Sequence, residues 1–251
     1  VSRGSRGGET DNVENIKSIL KLRKEKAKLL GYNDFAEVRL ENTMAKSAES
    51  VNQLLNEVWP RALERAKEEE TELLALAQEM GHNDIIEPWD WRFYSEKLRE
   101  KKFNFSEAEI KPYFQLDQII DASFDVANRL FGLSFKQRDD ITPHHPDAKV
   151  FEVFDPNGDT KAIFIADYFA RPSKRSGAWM SAYQSQHKLK TIDGKDGKMP
   201  FIYNIMNFAK PAEGEPALLS ADDARTLFHE FGHALHGILS DVTYPSVSGT
   251  S

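Results

Sequence analysis

The spacing of apolar residues changes near residue 132, from a helical pattern to a strand pattern. This change limits the fold classes that the chain can adopt. From 12 to 132, apolar residues recur three and four positions apart among Lys, Arg and Glu, which is typical of amphipathic helices. From 133 to 210, short runs rich in Phe, Ile, Val and Tyr alternate with turn residues, which is typical of strands. The pattern predicts an α+β fold that is mainly helical and carries a small antiparallel sheet.

Turn residues divide the second half of the chain into strands and one long helix. Asp-Pro-Asn-Gly at 155–158 predicts a hairpin between two of the strands. A polar connection at 193–198 interrupts the sheet, and a link containing Pro and Gly at 210–216 follows it. The next helix is predicted over 220–240, and it carries the residues best suited to chemistry.

This predicted helix has one apolar face and one polar face. The apolar residues recur at helical spacing and include Ala224, Leu227, Phe228, Phe231, Ala234, Leu235 and Ile238. A neighbouring stripe is polar and includes Asp222, Thr226, His229, His233, His236 and Ser240. The helix is therefore expected to pack on one side and to present its histidines on the other.

The polar stripe contains the pattern His-Glu-x-x-His at His229, Glu230 and His233. Residues four apart lie on the same face of a helix, so the two imidazoles can bind one zinc ion. Glu230 lies about 100° round the helix from His229, where its carboxylate can exchange a proton with water beside the metal. The alternative is a pair of structural histidines, but their place on the polar stripe favours the metal site.

A hydrolytic zinc site takes three protein ligands and keeps one position open, and this helix supplies two. Asp222 precedes His229 by a distance of about 10 Å along the helix axis, which is too far for a shared ion. Asp241 lies similarly far beyond His233. The third ligand is therefore expected outside this sequence.

The remaining histidines are weaker ligand candidates. His236 lies one turn beyond the pair, and a contact with substrate or with a ligand suits it better than direct coordination. His144 and His145 stand before a proline in a loop and have no ligand spacing. The chain contains no cysteine, so thiolate sites and disulfides are excluded.

Composition excludes several classes of partner. The net charge is −7, which argues against nucleic acid and anionic membrane surfaces. The mean hydropathy is −0.56, and no long apolar run is present. We expect a monomer in the cytoplasm. The first residues lack Met and an apolar signal core, so we expect a piece of a longer protein. Any signal peptide of that longer protein would lie outside this sequence.

Several segments resemble the thimet-oligopeptidase family of zinc metallopeptidases, and within it the bacterial peptidyl-dipeptidases. The resemblance covers essentially the whole chain. Its longest segments are KLRKEKAKLLGYNDFAEVRLENTMAKS at 21–47, PWDWRFYSEKLR at 88–99, FARPSKRSGAWM at 169–180, FIYNIMNFAKPAEGEPALLSADDARTLFHEFGHALHG at 201–237, and YPSVSGTS at 244–251.

The resemblance implies a zincin-like catalytic core, of which residues 1–251 would be a part. It implies that His229 and His233 bind Zn, that Glu230 is the catalytic acid and base, and that short peptides are the substrates. It also implies that Gly177 and Ala178 lie on an edge strand that pairs with the peptide backbone. The alternative for these two small residues is an ordinary strand start.

The resemblance also implies that a glutamate beyond residue 251 completes the zinc site. We therefore expect residues 1–251 alone to bind zinc weakly and to be nearly inactive. The favoured activity is release of C-terminal dipeptides. The alternatives are cleavage of internal bonds in short peptides and a non-catalytic, peptide-binding pseudo-enzyme.

Overall fold

A computed structural model describes residues 4–82, 85–104, 106–191, 194 and 196–250. The chain divides into two units, Val1–Phe103 and Asn104–Ser251, and each is described by itself. The polar connection predicted at 193–198 lies partly outside the described residues. Within the described part of the chain, no helix is both long enough and apolar enough to cross a membrane.

The first unit is helical. Its helices are α1 (Val13–Leu29), α2 (Phe35–Leu40), α3 (Ala48–Glu79) and α4 (Trp91–Phe103). Side-chain caps fix two of the helix starts, because the side chains of Asp34 and Ser47 accept hydrogen bonds from backbone N–H groups of the first turn. The core of this unit is small and contains Leu73, Ala77 and Tyr94, with Ile86, Trp91 and Leu98 packed against it.

Among its described residues, the second unit contains three helices, two short 3₁₀ turns and the strands of both sheets. The helices are α5 (Glu107–Ile110), α6 (Leu116–Phe131) and α7 (Ala221–Ile238). The strands are β1 (Ser134–Gln137), β2 (Lys149–Phe154), β3 (Thr160–Phe169), β4 (Trp179–Gln184), β5 (His187–Lys190), β6 (Asp196–Lys198) and β7 (Phe201–Phe208).

The main sheet has five strands in the order β1-β2-β3-β7-β4, and β5 pairs with β6 in a separate hairpin. Three neighbouring pairs of the main sheet are antiparallel, but β3 and β7 are parallel, so the sheet is mixed. The parallel pair arises because β7 inserts between β3 and β4, which a nine-residue loop at 170–178 connects. The predicted α+β class is confirmed, and β4 lies at one edge of the main sheet.

Helices α6 and α7 cover one face of the main sheet. Phe231 of α7 packs against three aromatic rings at centroid distances of 5.7 to 5.8 Å, from Phe124, Phe135 and Phe164. Gly237 of α7 approaches β7 so closely that an added Cβ would lie 2.7 Å from Ile202 Cδ1. The chemistry-bearing helix is therefore fixed to the sheet by close packing on its apolar face.

Candidate metal centre

The start of α7 is set by a capping box. The Ser220 hydroxyl accepts a hydrogen bond from the backbone N–H of Asp223, and the Asp223 carboxylate accepts one from the backbone N–H of Ser220, both at 3.0 Å. These bonds satisfy two donors that a helix start leaves unpaired. Asp222 and Asp223 also place negative charge at the positive end of the helix dipole. The observed helix agrees with the predicted span of 220–240.

The two histidines of the motif converge on one side of α7. The distance between His229 Nε2 and His233 Nε2 is 3.2 Å, and the ring planes lie 88° apart. A tetrahedral zinc ion with Zn–N bonds of about 2.05 Å needs its nitrogen ligands about 3.3 Å apart. The pair thus already has the separation of two ligands of one tetrahedral ion.

Glu230 lies beside this pair at the margin of the packed face. Its residue exposure is 8%, whereas His229 is exposed and His233 is half-buried. Carboxylates are rarely buried to this degree without a specific role or partner. Its position, next to the imidazoles and partly withdrawn from water, suits a group that exchanges a proton at the metal site.

The aspartates near the ends of α7 are occupied elsewhere. Asp222 forms a salt bridge with Arg225, and Asp241 forms one with Lys188, both at 2.8 Å. The bond from Lys188 lowers the pKa of Asp241. Among the residues that the structure describes, no group of three His, Cys, Asp or Glu side chains is arranged to hold a metal ion. The described part of the site is thus a two-histidine half-site.

His144 does not join the histidine pair. Its Nε2–H donates to Asp167 Oδ2 at 2.8 Å, on the sheet. His236 is exposed on α7, and its backbone carbonyl accepts from Ser240 Oγ at 2.9 Å. The structure thus places His144 on the sheet and His236 on the exposed side of α7.

Asp167 is the centre of a buried charge cluster that sequence reasoning missed. Its carboxylate is fully buried and binds the guanidinium of Arg171 through two hydrogen bonds, of 2.8 and 2.6 Å. Lys174 Nζ lies 2.8 Å from the same carboxylate. The sequence signal was present, because Asp167 interrupts an apolar strand and basic residues follow it at short range.

The cluster shifts the ionisation of its members. Burial by itself raises the pKa of Asp167, but the hydrogen bonds from Arg171, Lys174 and His144 outweigh burial and hold that pKa well below its usual range. Burial lowers the pKa of Lys174, and the bond with Asp167 opposes this effect. Asp167 is therefore ionised at neutral pH and compensates the buried ammonium group.

Gly177 and Ala178 lie directly before β4, at the edge of the main sheet. Gly177 has φ +96°, a conformation that favours glycine. Among the described residues, no hydrogen bond joins Gly177 or Ala178 to the histidine pair. The strand and the helix that carry these residues do meet, because Gly237 of α7 and residues 180–182 of β4 line one pocket of about 170 Å³.

Comparison with known proteins places these features in a family. The sequence profile of Peptidase family M3 matches residues 2–251. Dipeptidyl carboxypeptidase of Escherichia coli is 40% identical over 251 residues, which are 100% of this chain and 36% of that protein. Oligopeptidase A of Escherichia coli is 36% identical over 249 residues, which are 99% of this chain and 36% of that protein.

A plant protein is similar to the same degree. Probable cytosolic oligopeptidase A of Arabidopsis thaliana is 36% identical over an alignment of 253 residues, which covers 99% of this chain and 36% of that protein. The chain thus spans about a third of the length of these relatives.

Proposed function

The chain belongs to peptidase family M3, and from this premise we propose that it forms part of the catalytic core of a zinc metallopeptidase. The proposed substrates are short peptides, and the proposed reaction is release of C-terminal dipeptides. The observation that carries the proposal is the 3.2 Å separation of His229 Nε2 and His233 Nε2 on a helix that also presents Glu230.

The donor set suits zinc. Two imidazole nitrogens at the edge length of a tetrahedral zinc site fit a borderline-soft ion, whereas Mg²⁺ and Ca²⁺ prefer oxygen ligands. His229 and His233 would hold the ion, and the third protein ligand would come from outside the described residues. When bound, zinc would supply a Lewis acid and acidify water at neutral pH.

Glu230 carries the proton in this proposal. Its carboxylate takes a proton from the attacking water and then delivers it to the nitrogen of the leaving peptide. The C–N bond breaks as the new C–O bond to the carbonyl carbon is retained, so the proton removed from water ends on the released amine. The partial burial of Glu230 keeps this group at a fixed position on α7.

The edge strand β4 provides the proposed binding surface for peptide. A peptide in extended form adds to a free sheet edge through backbone hydrogen bonds. Gly177 and Ala178, at the start of β4, have small side chains that allow such a backbone to approach closely. We propose these two residues as substrate-binding residues.

Metal analysis of variants tests the zinc site in the complete native protein that carries this sequence. We expect about one zinc per molecule, with a large loss for His229→Gln and little loss for the control His236→Gln on the same helix. Glu230→Gln is expected to keep its zinc and to lose at least about a hundredfold in kcat. Equal zinc content in all histidine variants contradicts the assignment.

Mass spectrometry of products tests the type of cleavage. With an N-terminally blocked peptide, stepwise loss of two C-terminal residues supports a peptidyl-dipeptidase. Internal cuts support the second candidate, an oligopeptidase, which the 36% identity to oligopeptidase A favours. Unchanged peptide, with Glu230→Gln equal to wild type in every peptide-related assay, supports a non-catalytic peptide-binding protein.

We also propose that the protein works as a monomer in the cytoplasm. The name of the Arabidopsis thaliana relative, probable cytosolic oligopeptidase A, supports the compartment. The net charge of −7 argues against nucleic acid as a partner. Cell fractionation and light scattering of the native protein test both statements, and an organellar or dimeric protein contradicts them.

A further inference from the structure

The loop at 170–178 has to pass the end of a strand that it does not belong to. It leaves β3 at Phe169 and enters β4 at Trp179, but β7 lies between these two strands in the sheet. The loop therefore crosses the carboxyl end of β7 before β4 can begin. Its exit point, Gly177 and Ala178, is the segment proposed above to meet the peptide.

Asn207, near the end of β7, binds the exit of this loop. Its side-chain Nδ2 donates hydrogen bonds to the backbone carbonyls of Arg175 at 2.8 Å and Gly177 at 2.7 Å. One amide group thus holds two carbonyls at the loop exit, those of Arg175 and Gly177, and the Gly177 carbonyl is directed toward Asn207 of β7.

Lys174 fixes the middle of the same loop. Its side chain is 4% exposed, and Nζ donates to the carbonyls of Asp167 at 3.0 Å, Phe169 at 2.6 Å and Met206 at 2.9 Å. These acceptors lie near the carboxyl ends of the parallel strands β3 and β7. The Asp167 carboxylate compensates the charge of the ammonium group. The loop is thus held at two points. These points attach it to β3, the strand that it leaves, and to β7, the strand that it crosses.

We infer that Asn207 is a positioning residue for peptide recognition, because it fixes the Gly177 carbonyl and thereby the direction in which β4 starts. The recognised group is the extended backbone of a short peptide, and Lys174 supplies the second attachment of the loop. This inference rests on the proposed function of the β4 edge. A loop that is fixed before binding loses less conformational freedom when the peptide arrives.

Two variants of Asn207 separate its hydrogen bonds from its size. Asn207→Asp has the same shape but presents oxygen to two carbonyl oxygens, and Asn207→Leu removes both donors without adding charge. The matched control is Asn128→Asp, because Asn128 Nδ2 on α6 also donates to a backbone carbonyl, that of Leu133 at 3.0 Å, and Asn128 lies outside β4 and the loop at 170–178. All three are made in the complete native protein.

The expected result is a change in KM rather than in kcat. Both Asn207 variants are expected to raise KM for a short peptide about tenfold, with kcat changed less than about threefold, whereas Asn128→Asp stays within about twofold of wild type. Zinc content and melting temperature are measured on the same samples. A role in global stability alone would lower the melting temperature without this division between KM and kcat.

Peptide binding in the absence of turnover gives a second readout. In the Glu230→Gln background, the Kd of the same peptide is expected to rise about tenfold with Asn207→Asp and to stay unchanged with Asn128→Asp. An unchanged Kd and KM in both Asn207 variants, or equal changes in the control, overturns the inference. Failure of the proposed function is distinct, because wild-type protein would then neither bind zinc nor cleave peptide.

Discussion

Gly237→Ala tests whether α7 is fixed to the sheet by the contact between Gly237 and Ile202. The added Cβ would lie 2.7 Å from Ile202 Cδ1 and 3.3 Å from Ile202 Cγ1, whereas carbon atoms prefer about 3.5–4.0 Å. Ile202 is only 2% exposed, so its side chain has little room to move. Overpacking of this kind costs about 1–3 kcal/mol, and the gain in helix propensity offsets about 1 kcal/mol. The net loss of unfolding free energy is therefore expected at about 0–2 kcal/mol.

Removing the opposing methyl group should relieve the clash. Ile202→Val deletes Cδ1, the atom nearest to the added Cβ, and on its own costs about 0.5–1.5 kcal/mol. The double variant should lose less unfolding free energy than the sum of the two single losses, by a coupling of about 1 kcal/mol. The control is Gly232→Ala on the same helix, because among the described residues no heavy atom lies within 4 Å of its added Cβ apart from its chain neighbours and the adjacent backbone of α7. This control should be neutral or more stable by up to about 1 kcal/mol.

Urea unfolding of residues 1–251, followed by circular dichroism, measures these four variants against wild type. The reasoning fails if Gly237→Ala is as stable as Gly232→Ala. It also fails if Ile202→Val and Gly237→Ala add without coupling, because the contact between their atoms would then carry no energy. Since Gly237 follows His233 by one turn of α7, the same contact sets the height of the histidine pair above β7.

Three further predictions concern the buried charge cluster around Asp167, the cap of α7 and the metal affinity of the histidine pair. Asp167→Asn should cost about 3–5 kcal/mol of unfolding free energy at pH 7 by leaving buried cations uncompensated, as measured by urea unfolding. Because the folded pKa of Asp167 is depressed, its contribution is present above about pH 4 and is lost as the pH falls toward the folded pKa, so the variant should show a shallower loss of stability in acid; an identical acid slope contradicts this. Ser220→Ala should lower unfolding free energy by about 0.5–2 kcal/mol through loss of the cap, and no change in thermal unfolding contradicts the capping role. Residues 1–251 alone should bind Co²⁺ more weakly than the complete native protein in spectroscopic titration, and equal one-to-one affinity contradicts a two-histidine half-site.

Local signals in the sequence were sufficient for the elements that local interactions decide. The predicted helix over 220–240 agrees with Ala221–Ile238, since its cap, its period and its histidine spacing all lie within one short segment. The predicted hairpin at 155–158 joins β2 and β3, and Gly158 has φ +89° as the turn requires.

Long-range choices left no comparable signal. The parallel pairing of β3 with β7 depends on where the chain inserts β7 after leaving the sheet, and strand periodicity does not record the neighbour of a strand. The apolar residues of α3, which lie within the region 12–132 predicted to be helical, show the same limit. Leu73, Leu76 and Ala77 are buried, but Leu54 and Leu55 are exposed in this chain. Periodicity identifies the face that is apolar and does not identify what covers it.

The insertion of β7 has a consequence for the candidate site. It makes β4 an edge strand and forces the loop at 170–178 to cross a strand end, where carbonyl groups need donors. Lys174 and Asn207 supply those donors, and the charge on Lys174 in turn requires Asp167 inside the sheet. Basic residues that look like surface charge in the sequence are thus required by the topology. The same topology that exposes an edge for a peptide also fixes the segment from which that edge begins.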